Sequence, residues 1–138
     1  KEQNAFKKLE PPPARLVAEV SRIVLIKMIP AILEHEVEAF GEAMTNLDAK
    51  FGDYWALVQG GRYSHKRIEH CVNYLLNEGA YGAGQSSWGP ALYALAEGKS
   101  HANDLLESLN QFFDSKEEKG RAFITKANNW GANVEIKD

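Results

Sequence analysis

The chain has 138 residues, 44% of them hydrophobic and 25% charged, and a formal net charge of −3. These proportions suit a single domain, 1–138, with a buried core, and they disfavour disorder. An acidic balance argues against a nucleic-acid partner, which calls for a basic surface, and no apolar run approaches the roughly 18 residues of a membrane helix.

Residues 1–13 are polar and end in Pro11, Pro12 and Pro13, which predicts an extended lead-in. A helix follows, carrying Leu16, Val20, Ile23 and Val24 on one face. Leu25, Ile26, Met28 and Ile29 widen that face until cover on more than one side is expected, and Pro30 should kink or divide the helix. Val37, Phe40, Met44, Leu47 and Phe51 then recur at spacings of three and four, the stripe of an amphipathic helix ended by Gly52 and Asp53.

Gln59-Gly60-Gly61-Arg62 reads as a flexible polar turn. Ser64 is placed to cap a third helix with the face Ile68, Cys71, Val72, Leu75 and Leu76, closed by Gly79. Cys71, the single cysteine, falls on that apolar face, so it reads as a buried small hydrophobe rather than a nucleophile. It cannot form an internal disulfide, which suits a reducing cytoplasm.

Gly79 to Pro90, GAYGAGQSSWGP, is the most informative stretch. Glycines allow positive φ and close approach of the backbone to a ligand, while Gln85, Ser86, Ser87 and Trp88 add polar donors and a flat aromatic face. We therefore take Gly82, Gly84, Gln85, Ser86, Ser87, Trp88 and Gly89 as candidate residues for binding a phosphorylated substrate, on an exposed concave loop with several N–H groups to offer. The plainer reading is a glycine hairpin joining two elements. Neither standard phosphate motif applies. A P-loop over Gly79 to Ser86 has Gln85 in place of its lysine and follows a helix rather than a strand, and a dinucleotide pattern starting at Gly82 meets Ser87 instead of its third glycine.

The short apolar run Ala91 to Ala96 fits either a buried strand or the start of a helix. Ser100 or His101 opens a helix bearing Leu105, Leu106, Leu109, Phe112 and Phe113, and Lys116 to Gly120 is a charged turn. Arg121 to Lys126 suggests a strand and Val134 to Ile136 a weaker one. His65, Glu69 and His70 have the wrong spacing for known zinc motifs, and no dedicated metal cage or G-x-S-x-G nucleophile frame is present.

The wording Gln85-Ser86-Ser87-Trp88-Gly89-Pro90, followed by Ala91-Leu92-Tyr93, closely resembles the third, glycine-rich motif of beta-ribofuranosylaminobenzene 5'-phosphate synthases, within the GHMP kinase superfamily. The resemblance extends to Met28 through Glu34, to Phe40-Gly41 and to Gln59 through Tyr63, and covers about residues 2–97. It implies an α+β fold, the ferredoxin-like GHMP C-terminal domain, with helices on one face of an antiparallel sheet, and a strand at Ala91 to Ala96. It also implies a cytoplasmic enzyme that joins phosphoribosyl pyrophosphate to 4-aminobenzoate or 4-hydroxybenzoate on the route to methanopterin. Mg²⁺ is a natural companion of pyrophosphate in the full enzyme, with no cofactor held by this chain. The family's N-terminal domain, which carries the principal phosphate loop, and the strand that precedes the helices are not in the sequence. The chain is therefore expected to be inactive alone and to pair with that missing portion or with a second copy of itself. The alternatives are the C-terminal domain of a GHMP sugar or mevalonate-type kinase, and a non-catalytic module of the same fold.

Overall fold

The computed structural model describes residues 7–116, 120–132 and 134–136. Residues 1–6 of the expected lead-in and 117–119 of the expected charged turn lie outside the described residues. Pro13 holds the extended geometry that its ring imposes (φ −58°, ψ 143°).

The first helical stretch is continuous but not uniform. Helix α1 (Ala14–Arg22) passes into a π-helical segment (Ile23–Met28) and then into α2 (Ile29–Leu33), whose first turn contains Pro30. Proline offers no N–H to the turn before it and crowds the carbonyl four residues back, a conflict that wider backbone pairing upstream relieves. The expected cover on several sides is corrected. Leu25, Ile26 and Leu33 are 60%, 65% and 74% exposed, because among the described elements only α3 packs along this stretch. A charged bridge adds to that packing, with Lys50 Nζ 2.6 Å and Arg15 Nε 2.9 Å from the Glu19 carboxylate.

Helix α3 (Val37–Gln59) runs straight through Gly52 and Asp53, where the sequence pattern ends it, and stops at Gly60 with φ 94°. The reason lies in packing: a Cβ on Gly52 would sit 2.4 Å from the Arg62 carbonyl oxygen, so this glycine makes room for the returning chain. Arg62 then forks onto Asp53 of α3, Nε to Oδ1 at 2.8 Å and Nη2 to Oδ2 at 2.9 Å.

Helix α4 (Lys66–Asn77) is capped by His65, not Ser64. The His65 Nδ1 accepts from the Arg67 N–H at 3.1 Å, while the Ser64 N–H is taken by Gln85. Ile68, Cys71, Val72 and Leu75 form its buried face as the spacing predicts, and Gly79 turns the chain with φ 95°. Strands β1 (Gly82–Gln85) and β2 (Leu92–Leu95) pair antiparallel, Gly82 opposite Leu95 and Gln85 opposite Leu92. Helix α5 (Gly98–Ser115) closes the core, in which Ile68, Val72 and Leu75 meet Ala83, Leu105 and Leu109. The result is an α+β fold with its helices packed on an antiparallel sheet.

The strands expected at 121–126 and 134–136 are not formed. Both segments lack a neighbouring strand among the described residues, and without a ladder a short run gains no paired backbone.

The closest approach in the fold is between α3 and β1. A Cβ on Gly82 would lie 2.2 Å from the Gly41 carbonyl oxygen, and one on Gly41 would lie 2.4 Å from that of Tyr81. Neither obstacle is a flexible side chain. Gly82→Ala should therefore destabilise the fold by at least the roughly 1–3 kcal/mol of ordinary overpacking; denaturant unfolding that shows a change within about 0.5 kcal/mol, the scatter of neutral surface substitutions, would contradict this contact.

Candidate functional site

The glycine-rich stretch divides into two unlike halves. Gly82 to Gln85 form β1 and are buried throughout, whereas Ser86 and Ser87 are exposed and Trp88 and Gly89 half-buried. The expected exposed loop is therefore corrected for its first half. The Ala83 N–H donates to Thr45 Oγ1 at 2.9 Å and the Gln85 N–H to Asp48 Oδ2 at 3.0 Å. These amides point away from β2, and α3 satisfies them with side chains because no strand among the described residues lies on that side. Gly82 and Gly84 serve this packing: the Cβ position of Gly84 falls 2.6 Å from both Asp48 Oδ2 and the Tyr93 hydroxyl.

The second half is a tight turn. The Ser86 N–H donates to the Ala91 carbonyl at 2.9 Å and the Gly89 N–H to the Ser86 carbonyl at 3.0 Å. Ser87 and Gly89 have φ 52° and 65°, so the chain curls outward and presents both serine hydroxyls. Gly89 meets the entrance of α4, its Cβ position lying 2.4 Å from Ser64 Oγ. A side chain there would be both strained and obstructed.

Trp88 stacks on Trp55 of α3 with ring centroids 5.0 Å apart and planes 16° from parallel, and Phe51, one helical turn earlier, lies 5.6 Å from Trp55. The ring thus has structural weight, anchoring the turn to α3. Gln85 is 4% exposed, and its amide bonds hold the turn from beneath.

Below the turn, Asp48, Tyr63 and Tyr93 form a cluster of three ionisable groups. Burial pushes the Tyr93 phenol well above its ordinary range, and the Asp48 carboxylate and Tyr63 add to the shift. Burial likewise raises Tyr63, again with Asp48 contributing. Burial also raises Asp48, against the opposing pull of the Gln85 N–H and of Arg62. At neutral pH the two phenols are O–H donors facing a carboxylate.

Asp48, Thr45 and Trp55 escaped the sequence reading, and Gln59 and Ser64 entered it only as a turn residue and a helix cap. A signal was present. Gly41, Thr45, Asp48 and Gly52 recur at spacings of four, three and four, a small and polar stripe beside the apolar stripe of α3. Of the residues that sequence did select, Ser86, Ser87, Trp88 and Gly89 share one turn, with Gln85 directly beneath it, while Gly82 and Gly84 lie in the strand.

An acid raised in the folded state binds its proton more readily there than when unfolded. Stability then falls as pH rises through the window between the two values, which begins at about 4 for an ordinary aspartate. Asp48→Asn keeps an oxygen acceptor for the Gln85 N–H but removes the charge. Its stability relative to the parent chain should increase as pH rises from about 4, whereas Asp48→Ala, which also orphans a buried N–H, should lie about 1–3 kcal/mol below Asp48→Asn at every pH. Chemical denaturation across pH checks both, and a relative stability of Asp48→Asn that falls with pH would contradict the burial of this carboxylate. A double-mutant cycle of Trp55→Ala and Trp88→Ala should return a coupling of about 0.5–1.5 kcal/mol; additive losses would contradict the stack.

The profile of the family described as GHMP kinases C terminal matches residues 28–115, from the end of the π-helical segment to the end of α5. A beta-ribofuranosylphenol 5'-phosphate synthase of Archaeoglobus fulgidus is 30% identical over 142 aligned residues, covering 99% of this chain and 40% of that protein. Proteins of the same name from Methanothermobacter thermautotrophicus and Methanocaldococcus jannaschii are 36% and 33% identical, covering 72% and 97% of this chain but 29% and 38% of their own lengths. The chain thus spans at most 40% of these relatives. No solved structure matches it significantly. The family match extends over α2 to α5, both strands and the turn that joins them, and on that ground the chain belongs to the GHMP kinase C-terminal family.

Proposed function

We propose that the chain is the C-terminal portion of a cytoplasmic synthase that attaches a ribosyl 5'-phosphate to a benzene ring, and that the Ser86 to Gly89 turn holds phosphate oxygens of the ribosyl donor. One observation carries the reading: the turn abuts the entrance of α4, with the Gly89 Cβ position 2.4 Å from Ser64 Oγ, so the exposed Ser86 and Ser87 belong to the turn that meets the helix opened by the exposed Lys66 and Arg67. Hydroxyl donors, two cations and the positive end of a 12-residue helix favour an anion. The relatives' names supply the product class, a ribofuranosylphenol phosphate. Of the two acceptors that the sequence suggests, 4-hydroxybenzoate yields a phenol.

In this reaction the bond between the ribosyl C1 and the pyrophosphate oxygen breaks, and the ring carbon bearing the carboxylate forms the new bond to C1. The carboxylate leaves as carbon dioxide, returning its electron pair to the ring. Negative charge grows on the departing pyrophosphate, and fixed donors aimed at it lower the barrier. The turn is preorganised for that task by Gln85 and by the Trp55–Trp88 stack. No group of three His, Cys, Asp or Glu side chains among the described residues could hold a metal ion. Mg²⁺, if bound with pyrophosphate, would neutralise part of its charge, and the chain's own part is to hold and orient the phosphate.

The partner is suggested by an open groove of about 1170 Å³ beside β2, lined by Leu92 to Ala96, Leu105, Leu109, Phe113 and residues 120–125. The edge of β2 away from β1 has no strand partner among the described residues, and exposed strand edges invite pairing. A strand from the remainder of the full-length protein occupies the groove in the intact enzyme, and a second copy substitutes for it in the isolated chain.

In the full-length protein, Ser86→Ala and Ser87→Ala together should weaken use of the ribosyl donor roughly tenfold or more, the usual effect of losing hydrogen bonds to a charged group. The isolated 138-residue chain should self-associate in light scattering and show no phosphoribosyl transfer. A monomer that turns over substrate unaided would overturn the reading, and ATP-dependent phosphorylation of a small molecule by the full-length protein would replace it with the kinase alternative.

A further inference from the structure

We infer that Gln85 is a positioning residue: its buried carboxamide, held in one orientation, fixes the shape of the Ser86 to Gly89 turn. The inference rests on the proposed phosphate site in that turn and assigns Gln85 a part other than ligand donor.

The side chain is committed on every side. Its Oε1 accepts the Ser64 N–H at 2.7 Å, and its Nε2 donates to the Ser87 carbonyl at 2.8 Å and toward Gln59 Oε1 at 3.4 Å. One planar group therefore ties the end of α3, the entrance of α4 and the centre of the turn together. A flipped amide would set N–H against N–H and oxygen against oxygen, so the hydrogen bonds determine the orientation. Packing enforces the same placement, since the Cβ position of Gly89 lies 3.1 Å from both Gln85 Cδ and Oε1. At 4% exposure, no face of the carboxamide is left for a ligand in solution. The position needs one acceptor and one donor at the end of a two-methylene stem. Asparagine is too short, and a glutamate carboxylate supplies only the acceptor.

That chemistry yields a test that plain destabilisation would not mimic. Gln85→Glu preserves shape but sets a carboxylate oxygen against the Ser87 carbonyl. Once protonated, the same oxygen becomes a donor and restores the bond, and burial favours protonation above the usual range. Gln85→Leu has no such recovery.

The comparison uses the full-length protein, with inorganic pyrophosphate as the calorimetric probe and the near-ultraviolet circular dichroism of the Trp55–Trp88 stack as a ligand-free report of turn shape. Each variant is read against the parent at the same pH, which removes contributions from the neighbouring Asp48 of α3, Arg62, Tyr63, His65 at the entrance of α4, and Tyr93 of β2. At about pH 8, where a glutamate ionises, Gln85→Glu should lose pyrophosphate affinity about tenfold or more together with the tryptophan signal. Near pH 5 both should return toward the parent, while Gln85→Leu stays defective at both pH values. Parental affinity and signal in Gln85→Glu at the higher pH would overturn the inference, as would equal defects in the two variants at both. A Gln85→Glu protein that folds only at the lower pH supports it, and one unfolded at both counts against it. If the parent itself fails to bind pyrophosphate, the proposed function falls, and the tryptophan signal alone decides the role of Gln85 by the same criteria.

Discussion

The near-contact of α3 with β1 is the constraint from which the rest of the structure follows. Gly41 and Gly82 let two backbones meet, and at that separation Thr45 and Asp48 reach the outward N–H groups of Ala83 and Gln85. A helix advances about 4.5 Å over three residues and a strand about 6.6 Å over two, so side-chain length must absorb the difference. Thr45 is short and Asp48 one atom longer, which suits the two steps. A sheet edge that would otherwise invite a further strand is closed by a helix, and the next residues of the chain emerge at a fixed point as the turn.

That arrangement explains why polar groups are tolerated beneath the turn. Asp48 carries a carboxylate into a half-buried setting at a desolvation cost, offset by the Gln85 N–H and by the pull of Arg62. Tyr63 and Tyr93 remain phenols beside it. Gln85 adds a second layer of fixed hydrogen bonds, and the stacked tryptophans hold the turn from the side. A loop so constrained has little entropy left to lose when it binds, which is the property a phosphate site needs.

Much of this was legible in the sequence, for identifiable reasons. The face of α4 and its closing Gly79 follow from periodicity and turn chemistry, while the wording around Trp88 pointed to the family that the comparison then showed, and with it to the strand within Ala91 to Ala96. Gly52 misled because a glycine within a helix and one that ends a helix look alike until the crossing chain at Arg62 is known. His65 rather than Ser64 is the cap because α4 starts at Lys66, one residue further along, where the His65 Nδ1 accepts from the Arg67 N–H. The strand expected at 121–126 failed because strand pattern is only half of a strand; the other half is a neighbour. Asp48 was passed over because one acidic residue beside an apolar stripe looks like helix surface, and only the flanking Gly41 and Gly52 mark that side as a packed one.

The central claim is that a turn fixed by α3, α4 and Gln85 is an anion site. Backbone amide resonances of the ¹⁵N-labelled full-length protein, followed during titration with pyrophosphate, test it most directly. The account predicts saturable shifts concentrated at Ser86 to Gly89 and at Ser64 to Arg67, with the β1 amides of Ala83 and Gln85 moving little because Thr45 and Asp48 already hold them. Saturable binding that leaves the turn and the entrance of α4 unshifted would contradict it.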